Sequence, residues 1–165
     1  MSSEKIYFNK NRLIEIFVAC RYHLEMVLFG FDENKFREGY IGENIKPSEI
    51  LAHIIDSENY WFSEIGFWER APIGDRSFAE YVEILNENKQ NIIRILENLE
   101  SEFPPIISPA ADRNPPSPAW AALRCAQHCL YHSAVLEIMY RRQVNIEPSG
   151  DPSSWERAAD SFYTF

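Results

Sequence analysis

The stretch from Trp120 to Arg142, W-A-A-L-R-C-A-Q-H-C-L-Y-H-S-A-V-L-E-I-M-Y-R-R, constrains the chain more than any other. It reads as one long helix. Ala121, Cys125, His128, His132, Val135 and Met139 recur at spacings of four and three, which is a heptad seam. Two central positions of that seam are histidines where helix packing normally wants Leu or Ile. His128 and His132 are one turn apart on one face, so their rings can converge beside the helix. Imidazole is a common ligand for zinc, nickel, copper and iron. A pair at this spacing needs a third ligand from a neighbouring helix. The chain has four histidines in all, so His23 and His53 are the candidates. The alternative is a pair of core histidines, each of which must find a partner for a ring donor and a ring acceptor. Cys125, one turn earlier, reads as a small core residue.

Three more long helices are expected. The first runs from about Asn9 to Gly30, with Leu13, Phe17, Cys20, Leu24, Val27 and Phe31 as its seam. His23 falls on the flank of that seam and reads as a half-exposed surface group. Gly39 and Gly42 argue against a continuous helix through residues 31 to 46. The second helix starts near Pro47-Ser48 and ends near Arg70, its apolar side marked by Ile50, Ile54, Trp61, Ile65 and Trp68. His53 lies beside that side. Asp56 and Glu58 follow it. For Glu58 a solvated helix face is the expected role; for Asp56 a solvated face and orientation of an imidazole stand level. Ser77-Phe78-Ala79-Glu80 is a capping box that opens the third helix, which extends to about Glu102 with Phe78, Val82, Leu85, Ile92, Leu96 and Leu99 in its seam. Asn88 and Lys89 interrupt that seam, as exposed side chains or as a polar lining at the depth of the histidines.

Residues 103 to 118 are proline-rich and cannot continue a helix, so they form a stiff connector. Ser117 followed by Pro118 starts the fourth helix. After Arg142 the chain is polar and then aromatic, with Trp155, Phe162, Tyr163 and Phe165. That segment, residues 143 to 165, is expected to form a short helix near residues 154 to 162 that packs back on the helices or on a second subunit.

At 165 residues, with 45% hydrophobic and 25% charged positions, the chain is expected to be a single domain spanning residues 1–165, with a core at 9–142. The net charge of −9 argues against nucleic acid and anionic membranes, which want clustered Lys and Arg. Three cysteines without paired spacing point to a reducing compartment. The first ten residues carry no apolar core of signal-peptide length, and no apolar run reaches the ~20 residues of a membrane span. A soluble cytoplasmic protein is the expectation.

A histidine on the second helix and a His-x-x-x-His on the fourth make a pattern. It resembles the DinB-like superfamily, the DinB/YfiT-like metalloenzymes, over residues 9 to 142. The motifs that carry the resemblance are P-S-E-I-L-A-H-I-I-D-S-E-N-Y-W, with His53, Asp56, Glu58 and Trp61, and Q-H-C-L-Y-H, with His128 and His132. Many members continue the second histidine with Arg-Gly-Gln; here Ser133-Ala134-Val135 follows His132. The resemblance implies an all-α four-helix bundle of up-down-down-up order with a long crossover, often a homodimer. It implies a divalent metal, zinc or nickel, on His53, His128 and His132. It also implies a low-molecular-weight thiol as co-substrate, since relatives include thiol S-transferases.

Two functions follow as expectations. In the first, three imidazoles leave a position open on the metal, which activates a thiol or water toward a small electrophilic substrate. Asp56 would orient His53 and Tyr60 would line the cavity. In the second, the same histidines form a non-catalytic metal site or structural feature in a dimeric bundle.

Overall fold

A computed structural model describes residues 8–39, 45–103 and 117–144. The proline-rich connector after Phe103 and the aromatic segment after Val144 lie outside the described residues, and so does the short helix expected near residues 154 to 162. The described chain is all-α apart from one small ladder. Its elements are β1 (Phe8–Asn9), α1 (Lys10–Leu28), α2 (Glu33–Arg37), α3 (Pro47–Glu64), α4 (Phe78–Glu97), β2 (Glu102–Phe103) and α5 (Pro118–Gln143). β1 and β2 pair antiparallel, Phe8 with Phe103 and Asn9 with Glu102.

Each helix starts where a side chain satisfies backbone donors that have no partner inside the helix. The Asn9 side chain accepts from the Asn11 and Arg12 N–H groups at 2.8 and 3.4 Å. Asp32 accepts from Lys35 N–H at 2.9 Å and so starts the single turn of α2. α3 opens on Pro47, and Glu49 reaches back to the Lys46 N–H at 2.8 Å. The Ser77–Glu80 capping box forms as its spacing predicts, the Glu80 carboxylate accepting from the Ser77 N–H at 2.8 Å. Ser117 accepts from Trp120 N–H at 3.1 Å. At the other end of α5, Arg141 and Arg142 lie in the last turn, where positive charge suits the helix dipole.

Two apolar clusters set the helix directions. Leu13, Phe17 and Cys20 near the start of α1 pack with Ala119, Ala122 and Ala126 near the start of α5, and with Phe62 and Leu96 near the ends of α3 and α4. The second cluster joins Leu24 and Val27 of α1 to Leu51 and Ile54 of α3, Leu85 of α4 and Leu136 of α5. α1 and α5 therefore run one way and α3 and α4 the other. α1 with α5 is the most extensive pairing, and α3 with α5 the next. Close approach at the end of α1 requires Gly30: a Cβ there would stand 2.7 Å from the Tyr140 ring. Phe36 of α2 is fully buried against Phe78 and Tyr81 and holds that short helix to α4.

Several expectations move. α3 stops at Glu64 rather than near Arg70, and α4 at Glu97 rather than Glu102. The buried face of α3 runs through Leu51, Ile55, Glu58 and Phe62, with Trp61 at its margin. Asn88 and Tyr81 belong to the buried face of α4. On α5 the buried stripe includes Ala122, Ala126, Cys129, Ser133 and Leu136, which places His128, His132 and Val135 on its flank. Close helix contact selects small side chains there; Ala121, Cys125 and Met139 of the heptad seam are buried as expected.

Candidate metal centre

His53, six residues into α3, faces His128 and His132 on α5. The antiparallel run of the two helices brings them level. His128 Nε2 lies 3.1 Å from His53 Nε2 and 3.1 Å from His132 Nε2. One ligand atom from each of the three histidines falls within 4.8 Å of the others. The rings stand edge to face, with centroids 4.3 to 4.9 Å apart. His53 is exposed, and His128 and His132 are half-buried. The trio therefore sits at the edge of the α3–α5 contact, open to solvent.

Hydrogen bonding alone does not account for this geometry. A neutral imidazole nitrogen is either a donor or an acceptor, with one in-plane direction. His128 Nε2 meets two other ring nitrogens at hydrogen-bond distance, and it serves only one of them well. Three ring nitrogens this close together could hold a shared cation. A proton is a poor choice: burial first, then the neighbouring His132 and His53, push His128 down to about 4. Burial and then His53 also lower His132. A divalent ion fits better. Nitrogens bound at ~2.0–2.1 Å stand roughly 2.9 Å apart at right angles and roughly 3.4 Å apart in a tetrahedron, and 3.1 Å lies between. Three neutral nitrogen donors leave at least one position open.

The surroundings differ from what the sequence suggests. The Asp56 carboxylate accepts from Arg70 at 2.8 and 2.9 Å, and that pair is exposed. The same guanidinium lies over the Tyr60 ring, 5.2 Å from its centroid. Tyr131, exposed, sets its ring edge to face with His132 at 4.9 Å. Arg124, exposed and one turn before His128, adds its positive field to that ring.

Glu58 is not on a solvated face. It is 1% exposed, with Arg21 Nη2 at 2.7 Å and the Asn88 amide donating at 3.1 Å. Burial pushes the Glu58 carboxyl up, and Arg21 and Asn88 pull it back. His23 is not a surface group either: it is fully buried, with Nε2 3.8 Å from a Glu137 oxygen, and its pKa is lowered chiefly by burial. It does not join the trio. Lys89 pairs with Glu25 at 2.6 Å. Sequence reasoning missed Arg21 altogether. Its one signal was a charge next to Cys20 and three residues before Leu24, inside an apolar stripe.

The three cysteines are buried and free. Burial raises the pKa of each, Cys129 to about 12. Inert thiols of this kind are structural rather than nucleophilic. Among the described residues no helix is long and apolar enough to cross a membrane. In comparisons with known proteins the chain matches no family model, no curated protein and no solved structure.

Proposed function

We propose that this chain is a divalent-metal-dependent enzyme, a four-helix bundle of the DinB-like type with its metal on His53, His128 and His132. The convergence of three ring nitrogens on one point, with His128 Nε2 3.1 Å from both neighbours, carries the proposal. A zinc or nickel ion bound by these three histidines would supply Lewis acidity and would lower the pKa of a thiol or water bound to it. The histidines hold the ion in their neutral form, and the low pKa of His128 keeps that form available well below pH 7. The reaction class is S-transfer from a low-molecular-weight thiol. A sulfur–carbon bond forms, the leaving group departs with its electron pair, and the thiol proton passes to solvent. The chain's own thiols are buried, so the nucleophile comes from outside. Free cysteines also suit a reducing, cytoplasmic setting. An exposed apolar row on α1, Tyr22, Met26 and Phe29, supports a homodimer.

A second reading is favoured by Asp56. Its carboxylate is held by Arg70, so no general base is committed to the trio. In that reading the histidines hold a metal without turnover, in a structural dimeric bundle.

The experiment is metal content by mass spectrometry of tag-free protein beside a His132→Ala variant, followed by thiol conjugation to an aryl halide. Near-stoichiometric zinc or nickel, lost in the variant, with conjugation by the parent alone, is the expected result. Metal without conjugation of any small thiol leaves the second reading. No metal after incubation with zinc and nickel overturns both.

A further inference from the structure

The surface strip between α3 and α5 extends past the histidines. Trp61 on α3 and Trp120 on α5 meet edge to face, with ring centroids 4.7 Å apart. Trp61 follows His53 by two turns of α3, and Trp120 precedes His128 by two turns of α5. Because the helices run in opposite senses, histidines sit at one end of the strip and tryptophans at the other. Each span is about 12 Å at 1.5 Å per residue. Arg124 is the midpoint on α5, one turn or about 6 Å from His128 and from Trp120, on the same side of the helix. Ser57 is the midpoint on α3.

The charge balance of this strip opposes that of the whole chain, which is −9. Arg124 is exposed and makes no ion pair among the described residues. The acids of α3 and α5 are taken up elsewhere. Asp56 is held by Arg70, Glu58 by Arg21, and Glu137 by Arg141. Glu49 caps the Lys46 N–H. Glu64 lies three residues past Trp61, beyond the aromatic end. A planar guanidinium with five donors in a fork is the side chain best suited to a carboxylate. Here it stands one turn from the candidate metal ligands, with an indole one turn beyond it.

We propose that the site takes a small bifunctional anion, one end offering a donor atom to the metal held by the trio and the other a carboxylate paired with Arg124. The carbon skeleton lies along the strip toward Trp120, and Arg124 is a specificity-determining residue. The inference rests on the metal reading and names the substrate class it implies: a thiol that carries its own carboxylate.

The test uses the full chain loaded with cobalt, whose near-ultraviolet absorption reports sulfur binding, with metal content measured first. Parent, Arg124→Gln and Arg124→Lys are titrated with 3-mercaptopropionate and with 3-mercaptopropanol, which lacks the carboxylate. The parent is expected to favour the acid over the alcohol by up to about fivefold, the upper end for an accessible ion pair. Arg124→Gln loses that preference while cobalt content and alcohol affinity stay as in the parent, and Arg124→Lys keeps part of it. The same preference in parent and Arg124→Gln, or no preference in the parent, overturns the role of Arg124 and leaves the metal reading standing. No cobalt in the parent overturns the metal reading and this inference with it.

Discussion

Arg21, Glu58 and Asn88 lie between the two apolar clusters, on α1, α3 and α4, while His53, His128 and His132 lie at the edge of α3 and α5. Both are polar clusters, and α3 contributes to both from positions five residues apart. The first balances its charges internally, although Arg21 Nε and Nη1 and Glu58 Oε1 are buried without a hydrogen-bond partner among the described residues. A cation, an anion and an amide face one another at 2.7 to 3.1 Å, with both charges 1% exposed. The second brings together three groups of one kind, with burial and then its two neighbours lowering His128, burial and then His53 lowering His132, and an open side to solvent. Compensation inside the cluster marks a structural element; convergence without compensation marks a place for something from outside.

The largest effect should come from unbalancing the closed cluster. Glu58→Leu strands the Arg21 charge in the interior, and removal of one partner from a buried pair costs about 3–5 kcal/mol. Urea unfolding reads this directly. The double variant Arg21→Met with Glu58→Leu removes both charges and should recover most of the loss. A double variant as unstable as the single one would break the comparison, because the cluster would then owe its worth to more than charge balance.

The histidine trio should behave in the opposite way. In the absence of metal, His132→Ala removes a half-buried ring and one of three crowded nitrogens, and stability should change little. With zinc or nickel present at one hundred times Kd, the parent should gain about 2.7 kcal/mol of stability. The variant should gain far less. Thermal unfolding with and without metal measures both. A parent whose melting temperature ignores metal removes the functional side of the contrast.

Acid sharpens the difference further. His128 is lowered from 6.5 to about 4 in the folded chain, so between those values the unfolded chain binds more protons than the folded one. Stability then rises with pH across the window. The metal-free protein should lose stability as pH falls from about 6.5 toward 4, with His132 adding in the same direction. His128→Gln should flatten that part of the curve in urea titrations. Metal should also leave as pH falls toward 4, where His128 takes up its proton, because coordinated imidazoles must be neutral. Full metal occupancy at pH 4 would contradict a three-histidine site.

The sequence carried the trio because its signal is local: two histidines one turn apart on a helix, and few others in the chain. The seam of α1 was equally plain, with all six of its expected positions buried. The closed cluster was not legible. Arg21, Glu58 and Asn88 come from three helices, and each looks like a surface residue until its partners are known. Burial of His23 against α5 has the same cause. On α5 the pattern held for Ala121, Cys125 and Met139, which are buried, and missed Ala122, Ala126, Cys129 and Ser133, which pack there by being small. The seam set His128 and His132 too deep. Their place on the flank is what leaves the site open to a ligand.

The smallest expected effect concerns Asp56, which lies within one turn of His53 and so belongs by position to neither cluster. Its partner is Arg70, at 2.8 Å, and the two side chains are 43% and 48% exposed. Exposed pairs of this kind are worth about 0.2–1 kcal/mol. Asp56→Asn should therefore cost less than 1 kcal/mol or about that in urea unfolding, and should leave metal content and affinity unchanged. A carboxylate that supports a metal-bound imidazole behaves otherwise, since its loss weakens metal binding by about 10–100-fold. A drop of that size in Asp56→Asn would mean that the carboxylate leaves Arg70 for His53 when metal binds. Arg70→Ala discriminates further. With Arg70 as the sole claim on Asp56, this variant changes stability slightly and metal affinity not at all. With the carboxylate shared, freeing it from Arg70 tightens metal binding, and the edge cluster then includes an anion as the interior one does.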